Sequence, residues 1–183
     1  MKNTINQHKP FFTFLLKFVL FYLIFTLIYK FYLNQFNVEN KEVDGITEFV
    51  AHQTKNTLVL FGKDCEMQKN EIEASYKIIY FNKYIARIVE GCNAISVIIL
   101  FASFIFGFSA KFKNTFLFIL LGAALVFILN IFRIALLTIG LFHYPEYEEF
   151  LHNIIFPVVI YGVVFSLWIF WVIKFSDYAK RTN

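Results

Sequence analysis

This chain is short of charge, of backbone breakers and of cysteine. Of its 183 residues only 16% are Asp, Glu, Lys or Arg, and it has seven glycines, three prolines and two cysteines. A soluble domain carries about 25% charged and about 45–50% apolar residues. Here 58% are hydrophobic and 21% aromatic, with 26 phenylalanines, which excludes a soluble enzyme. No glycine-rich loop is built to cradle phosphate, and no His, Cys and carboxylate residues cluster at metal-ligand spacing. Nucleotide-driven transport and metal hydrolysis therefore have no support, and the sequence calls for no cofactor. The formal charge of +4 suits anionic lipid headgroups; without an Arg-rich face or an aromatic RNA motif it gives no support to nucleic-acid binding. No internal repeat is present, which leaves little from which to build a solute pathway.

What the chain does have is long apolar runs. A membrane-spanning helix takes roughly 20 apolar residues, and four stretches qualify: 11–33, 94–110, 116–142 and 154–175. The expected fold class is an all-α integral membrane protein with about four transmembrane helices. The first run is too long for a signal-peptide core, is interrupted by Lys17 and lacks a small-residue cleavage site, so it reads as a retained span.

Positive charge beside span ends marks the cytoplasmic side. Lys2 and Lys9 precede the first run, Lys111 and Lys113 separate the second from the third, and Lys174, Lys180 and Arg181 end the chain. The loop between the third and fourth runs has no Lys or Arg but holds Glu146, Glu148 and Glu149. Every short loop predicts the same orientation in a cytoplasmic (inner) membrane: both termini inside, the acidic loop outside. The organisation follows as a tail and first helix (1–33), an extracytoplasmic segment (34–91), a three-helix membrane core (92–175) and a cytoplasmic tail (176–183). Within the second unit, Asp44 is placed to cap a short amphipathic helix carrying Ile46, Phe49 and Val50 and ending near Gly62. The stretch "SYKIIYFNKYIARIVE" reads as a small β-hairpin turning near Asn82–Lys83, with a helix leading into the second span as the alternative.

Three chemically capable side chains then arrive at one depth. Cys92 stands where the outer segment meets the second span, Arg133 lies in the outer half of the third, and His152 lies near the top of the fourth. Arg133 costs about 2.5–3.5 kcal/mol on insertion scales, so it should face the bundle interior or a wet cavity. It shares a stripe with Gly122, Val126, Asn130 and Gly140 that allows close helix approach. Ser96, Ser103 and Gly107 form a similar stripe after Cys92. If the second span begins near Gly91, Cys92 falls in its first turn, where exposed amides favour a thiolate; a buried, inert cysteine is the competing reading. A disulfide to Cys65 is the other competing role for Cys92. Glu148 and Glu149, one turn before His152, could orient or charge its imidazole. A cysteine nucleophile, a histidine base and an arginine facing a developing oxyanion are the parts of an acyl-transfer site.

With Cys92 in "EGCNAIS", Arg133 in "NIFRI" and His152 at the head of the next span, the chain resembles the exosortase/archaeosortase family over roughly residues 84–172, and most nearly its short exosortase branch, called XrtF-type. The resemblance implies a multipass cysteine transpeptidase acting on exported proteins that carry a C-terminal sorting signal: a short motif, a transmembrane helix and a basic tail. It assigns catalysis to Cys92, Arg133 and His152 and leaves the acceptor unidentified. Many relatives have Ser-Gly after the cysteine, where this chain has Asn93-Ala94, and many have more spans. The alternative is a non-catalytic multipass scaffold, in which Arg133 and Asn130 serve helix packing.

Overall fold

In hydrocarbon every backbone N–H and C=O must be satisfied within the chain, and the apolar runs do this as helix. The computed structural model describes residues 2–108 and 110–175. The expected cytoplasmic tail 176–183, with Lys180 and Arg181, lies outside the described residues. The long elements are α1 (Lys2–Leu33), α2 (Gly45–Leu60), α3 (Ile95–Gly107), α4 (Phe112–His143) and α5 (Phe156–Lys174). α5 is entered through a continuous helical lead that begins at Pro145.

Three helical stretches are long and apolar enough to cross a membrane: Phe11–Leu33, Phe112–His143 and Pro145–Lys174. The second apolar run forms only the 13-residue α3, about 20 Å long against a hydrocarbon core of about 30 Å. Its ends have local causes. Ala94 takes a left-handed conformation (φ 64°) that stops the helix on one side, and Phe108 turns extended (φ −86°, ψ 132°) on the other.

Between α1 and α3 lies a small mixed cap. Asp44 does cap α2, its carboxylate accepting from the Ile46 and Thr47 amides at 3.1 and 3.0 Å, and Val50, Ala51 and Leu58 form the buried stripe of that helix. The hairpin is present as β2 (Tyr76–Tyr80) and β3 (Lys83–Ile88), which rules out the helical alternative. Its turn falls on Phe81 and Asn82, both with positive φ (47° and 59°), as a two-residue turn matched to strand twist requires. Tyr76, Ile78 and Tyr80 alternate inward. A third strand, β1 (Cys65–Lys69), was not expected; it pairs antiparallel with β2, and the sheet order is β1-β2-β3. "CEMQK" buries only Cys65 among largely exposed side chains, so it carries no apolar alternation to read.

Two cores result. One joins α2, the sheet and the adjacent end of α4, through Val50, Leu58, Ile78, Ile88, Ile134 and Ala135. The other lies deeper in the bundle, where Phe101 and Ile105 of α3 meet Val126 of α4 and Val164 and Trp171 of α5. Gly122 is what lets α3 and α4 close there: a Cβ built on it would overlap the Phe101 ring. The expected outcome of Gly122→Val is a loss of about 1–3 kcal/mol, the usual cost of overpacking, seen as a lower midpoint in thermal unfolding in detergent. An unchanged midpoint would mean that the two helices do not pack through this residue.

Candidate active site

The peptide that carries Cys92 is fixed by its neighbours. After β3 the chain makes a tight 3-10 turn over Glu90–Cys92, closed by the Cys92 amide donating to the Val89 carbonyl at 2.9 Å. Asn93, only 1% exposed, then ties three helices together. Its Oδ1 accepts from the Ile95 amide at 3.0 Å, capping α3, while its Nδ2 donates to Tyr29 Oη of α1 at 2.7 Å and to Thr47 Oγ1 of α2 at 3.2 Å. Tyr29 in turn donates to Glu90 at 2.7 Å. Cys92 therefore precedes α3 instead of occupying its first turn. The strained Ala94 separates the two, and the first amide of α3, that of Ile95, is taken up by Asn93. The stripe on α3 is also only partly inward: Ser103 is buried and bonded to the Ile99 carbonyl, Gly107 meets the Phe14 ring, and Ser96 is exposed.

The left-handed backbone at Ala94 bears on the Asn93-Ala94 departure noted in the sequence. The conformation is one that glycine adopts freely and that costs an L-residue roughly 1–2 kcal/mol. Ala94 carries that strain in this turn.

Arg133 comes from α4, one turn after Asn130. Asn130 Nδ2 donates to the Cys92 carbonyl at 2.6 Å, and Arg133 Nη1 donates to Asn130 Oδ1 over a long 3.4 Å. Arg133 Nε is buried with no hydrogen-bond partner, and among the described residues Arg133 makes no ion pair. Its charge is thus left largely uncommitted. Asn130 is the residue whose contribution the sequence hid: its place on the Arg133 stripe was legible, but its bond to the cysteine's own carbonyl was not.

His152 lies in a widened π turn, Leu151–Ile155, just before α5. Pro157 supplies a cause, since it has no N–H to give the carbonyl of Asn153 and its ring crowds that turn. From Pro145 the chain passes through a 3-10 turn, one α turn and the π turn before α5.

Cys92, Arg133 and His152 all border one cavity of about 580 Å³, together with Glu148, a run along β3 and the inner face of α4. Glu148, four residues before His152, is on that wall and Glu149 is not. His52 sits on α2 beside Glu48 at 3.7 Å, and neither it nor His143 borders the cavity. Cys65 is a different kind of thiol. It is 3% exposed, and burial pushes it up to about 11. Both cysteines are free, so Cys92 has no disulfide partner. The described residues contain no cluster of His, Cys, Asp and Glu that could hold a metal ion.

The family model described as transmembrane exosortase matches residues 11–174. No curated protein and no solved structure gives a match.

In the folded protein a maleimide at pH 8 should modify Cys92 and spare Cys65, with both modified after unfolding; mass spectrometry of the labelled peptides reads this directly. Equal labelling of the two in the native state would contradict the burial of Cys65. Because the unfolded thiol ionises near pH 8.5 and the buried one near 11, stability should fall as pH rises between those values. Ala94→Gly should leave the thermal midpoint unchanged or raise it, relieving up to about 1 kcal/mol, whereas Ala94→Val should lower it.

Proposed function

This chain belongs to the transmembrane exosortase family, and on that premise we propose that it is a membrane cysteine transpeptidase of the short, XrtF-type branch that cleaves C-terminal sorting signals from exported proteins. The observation that carries the reading is the shared cavity: Cys92, Arg133 and His152 reach it from three different elements. In the proposed topology both termini are cytoplasmic, α3 joins the three long helices in the inner membrane, and segment 34–91 and the cavity face outward. The substrate's own transmembrane helix lies in the same membrane among the same lipids, and its motif emerges beside Cys92.

The chemistry follows from the residue types. His152 takes the Cys92 proton, the sulfur attacks the scissile carbonyl, and the oxygen gains negative charge opposite Arg133. Collapse breaks the C–N bond. The proton held by His152 goes to the departing amine, which leaves with the membrane helix and basic tail, while the rest of the substrate stays on Cys92 as a thioester. An acceptor amine, or water, then attacks the thioester and returns the thiol. Glu148, which borders the same cavity four residues before His152, orients the imidazole in this reading. Asn130 acts through its neighbours: it holds the Cys92 carbonyl with one end of its amide and the Arg133 guanidinium with the other.

The test is a reporter carrying the sorting signal of an exported protein from the same cell, with tail removal followed by size and enzyme abundance checked alongside. Cys92→Ala should abolish processing. Arg133→Ala should slow it by about 10²–10³, in line with loss of an oxyanion donor, and His152→Ala by about 10²–10⁴, in line with loss of acid–base catalysis. Unchanged processing by an abundant Cys92→Ala variant would remove the nucleophile assignment and turn attention to a membrane scaffold.

A further inference from the structure

β3 ends the sheet, and among the described residues no strand lies beyond it. Successive side chains of a strand point to opposite faces, yet the unbroken run 84–89 borders the cavity that holds Cys92. The cavity reaches Ile78 of β2 on the inner face and also residues on both faces of β3, so it runs along the strand's open edge, and an edge presents unpaired backbone N–H and C=O groups. A bulge sits within the run. Pairing with β2 passes from Ile78↔Ala86 to Ile79↔Tyr84 and leaves Ile85 extra. Such bulges bend a strand and recur beside active sites. Across the cavity stands an apolar wall on α4, with Ile134, Leu137 and Leu141.

An open edge facing an apolar wall selects an extended peptide: the edge supplies backbone hydrogen bonds and the wall receives alternate side chains. Building on the transpeptidase reading, we infer that β3 is the substrate-reading edge, which the segment just before the scissile bond joins as a fourth strand, parallel to β3. The direction follows from connectivity. β3 runs toward Cys92 and on into the apolar helix α3. A substrate cut at Cys92 likewise runs N to C through its motif toward its own membrane helix. Two chains heading into the membrane side by side are parallel, with the evenly spaced, slanted bonds of that pairing. Recognition then rests on an extended backbone and on alternate side chains, and the cavity that aligns the strand also delivers its end to the thiol.

The test uses the same reporter, with single cysteines walked along its pre-helix segment and the non-cleaving Cys92→Ala enzyme carrying either Tyr84→Cys or Val89→Cys. Tyr84 is exposed and Val89 half-buried, and both border the cavity. Parallel pairing predicts that Val89→Cys cross-links nearer the reporter's helix than Tyr84→Cys does, by about five residues. The reverse order, or no order, overturns the proposal. A proline scan of the same segment, processed by the unaltered enzyme, should slow tail removal by about fivefold to tenfold at every second position, where a bonding N–H is lost, with smaller effects between; a scan without alternation also overturns it. Cross-link order is read without catalysis, so processing that persists in Cys92→Ala would sink the transpeptidase reading alone.

Discussion

One buried amide holds this structure together. Asn93 is satisfied by a hydroxyl from α1, a hydroxyl from α2 and the first amide of α3. An unpaired polar group at that depth costs about 1–3 kcal/mol, so all three helices are tied to one point. The cysteine is its immediate neighbour in the chain. The adjacent carbonyl, that of Cys92 itself, is held by Asn130 of α4. Two asparagines thus place one short peptide against four helices, and the position of the sulfur follows from theirs. This is the kind of support a nucleophile needs when its geometry must hold within about 0.5 Å.

The cap and the bundle also share a core. The cap's core continues onto α4 through Ile134 and Ala135, one and two residues after Arg133. The cavity opens where these layers meet: β3 forms one side, α4 another, and the lead into α5 closes it with Glu148 and His152. A charge inside a span is costly, and Arg133 makes that cost useful by facing a recess with polar company instead of lipid.

The apolar runs, the Asp44 cap and the β2–β3 hairpin were all legible in the sequence, as was the approach of Cys92, Arg133 and His152 to one region, which the shared cavity bears out, because each leaves a local mark: length, a capping residue, alternation, or a reactive side chain in an apolar setting. What was not legible depended on contacts between distant segments. Tyr29 looks like any aromatic in a Phe-rich helix until Asn93 and Glu90 meet it. β1 is held by β2 and has no pattern of its own. The length of α3 was misjudged from hydropathy, since Ala94 and Phe108 end the helix by backbone angle while the apolar character runs on. The π turn at His152 is a response to Pro157 that composition alone does not announce.

The brevity of α3 has a consequence beyond the protein. A helix of about 20 Å beside neighbours of full span leaves a step of about 10 Å that the lipid must fill, by thinning or by drawing its headgroups inward, at a fraction of a kcal/mol per Å. Cys92 lies just before the N-terminal end of that short helix. In the proposed topology, water and headgroups drawn toward this end would wet the thiol, and the rate of the proposed reaction would then vary with acyl-chain length.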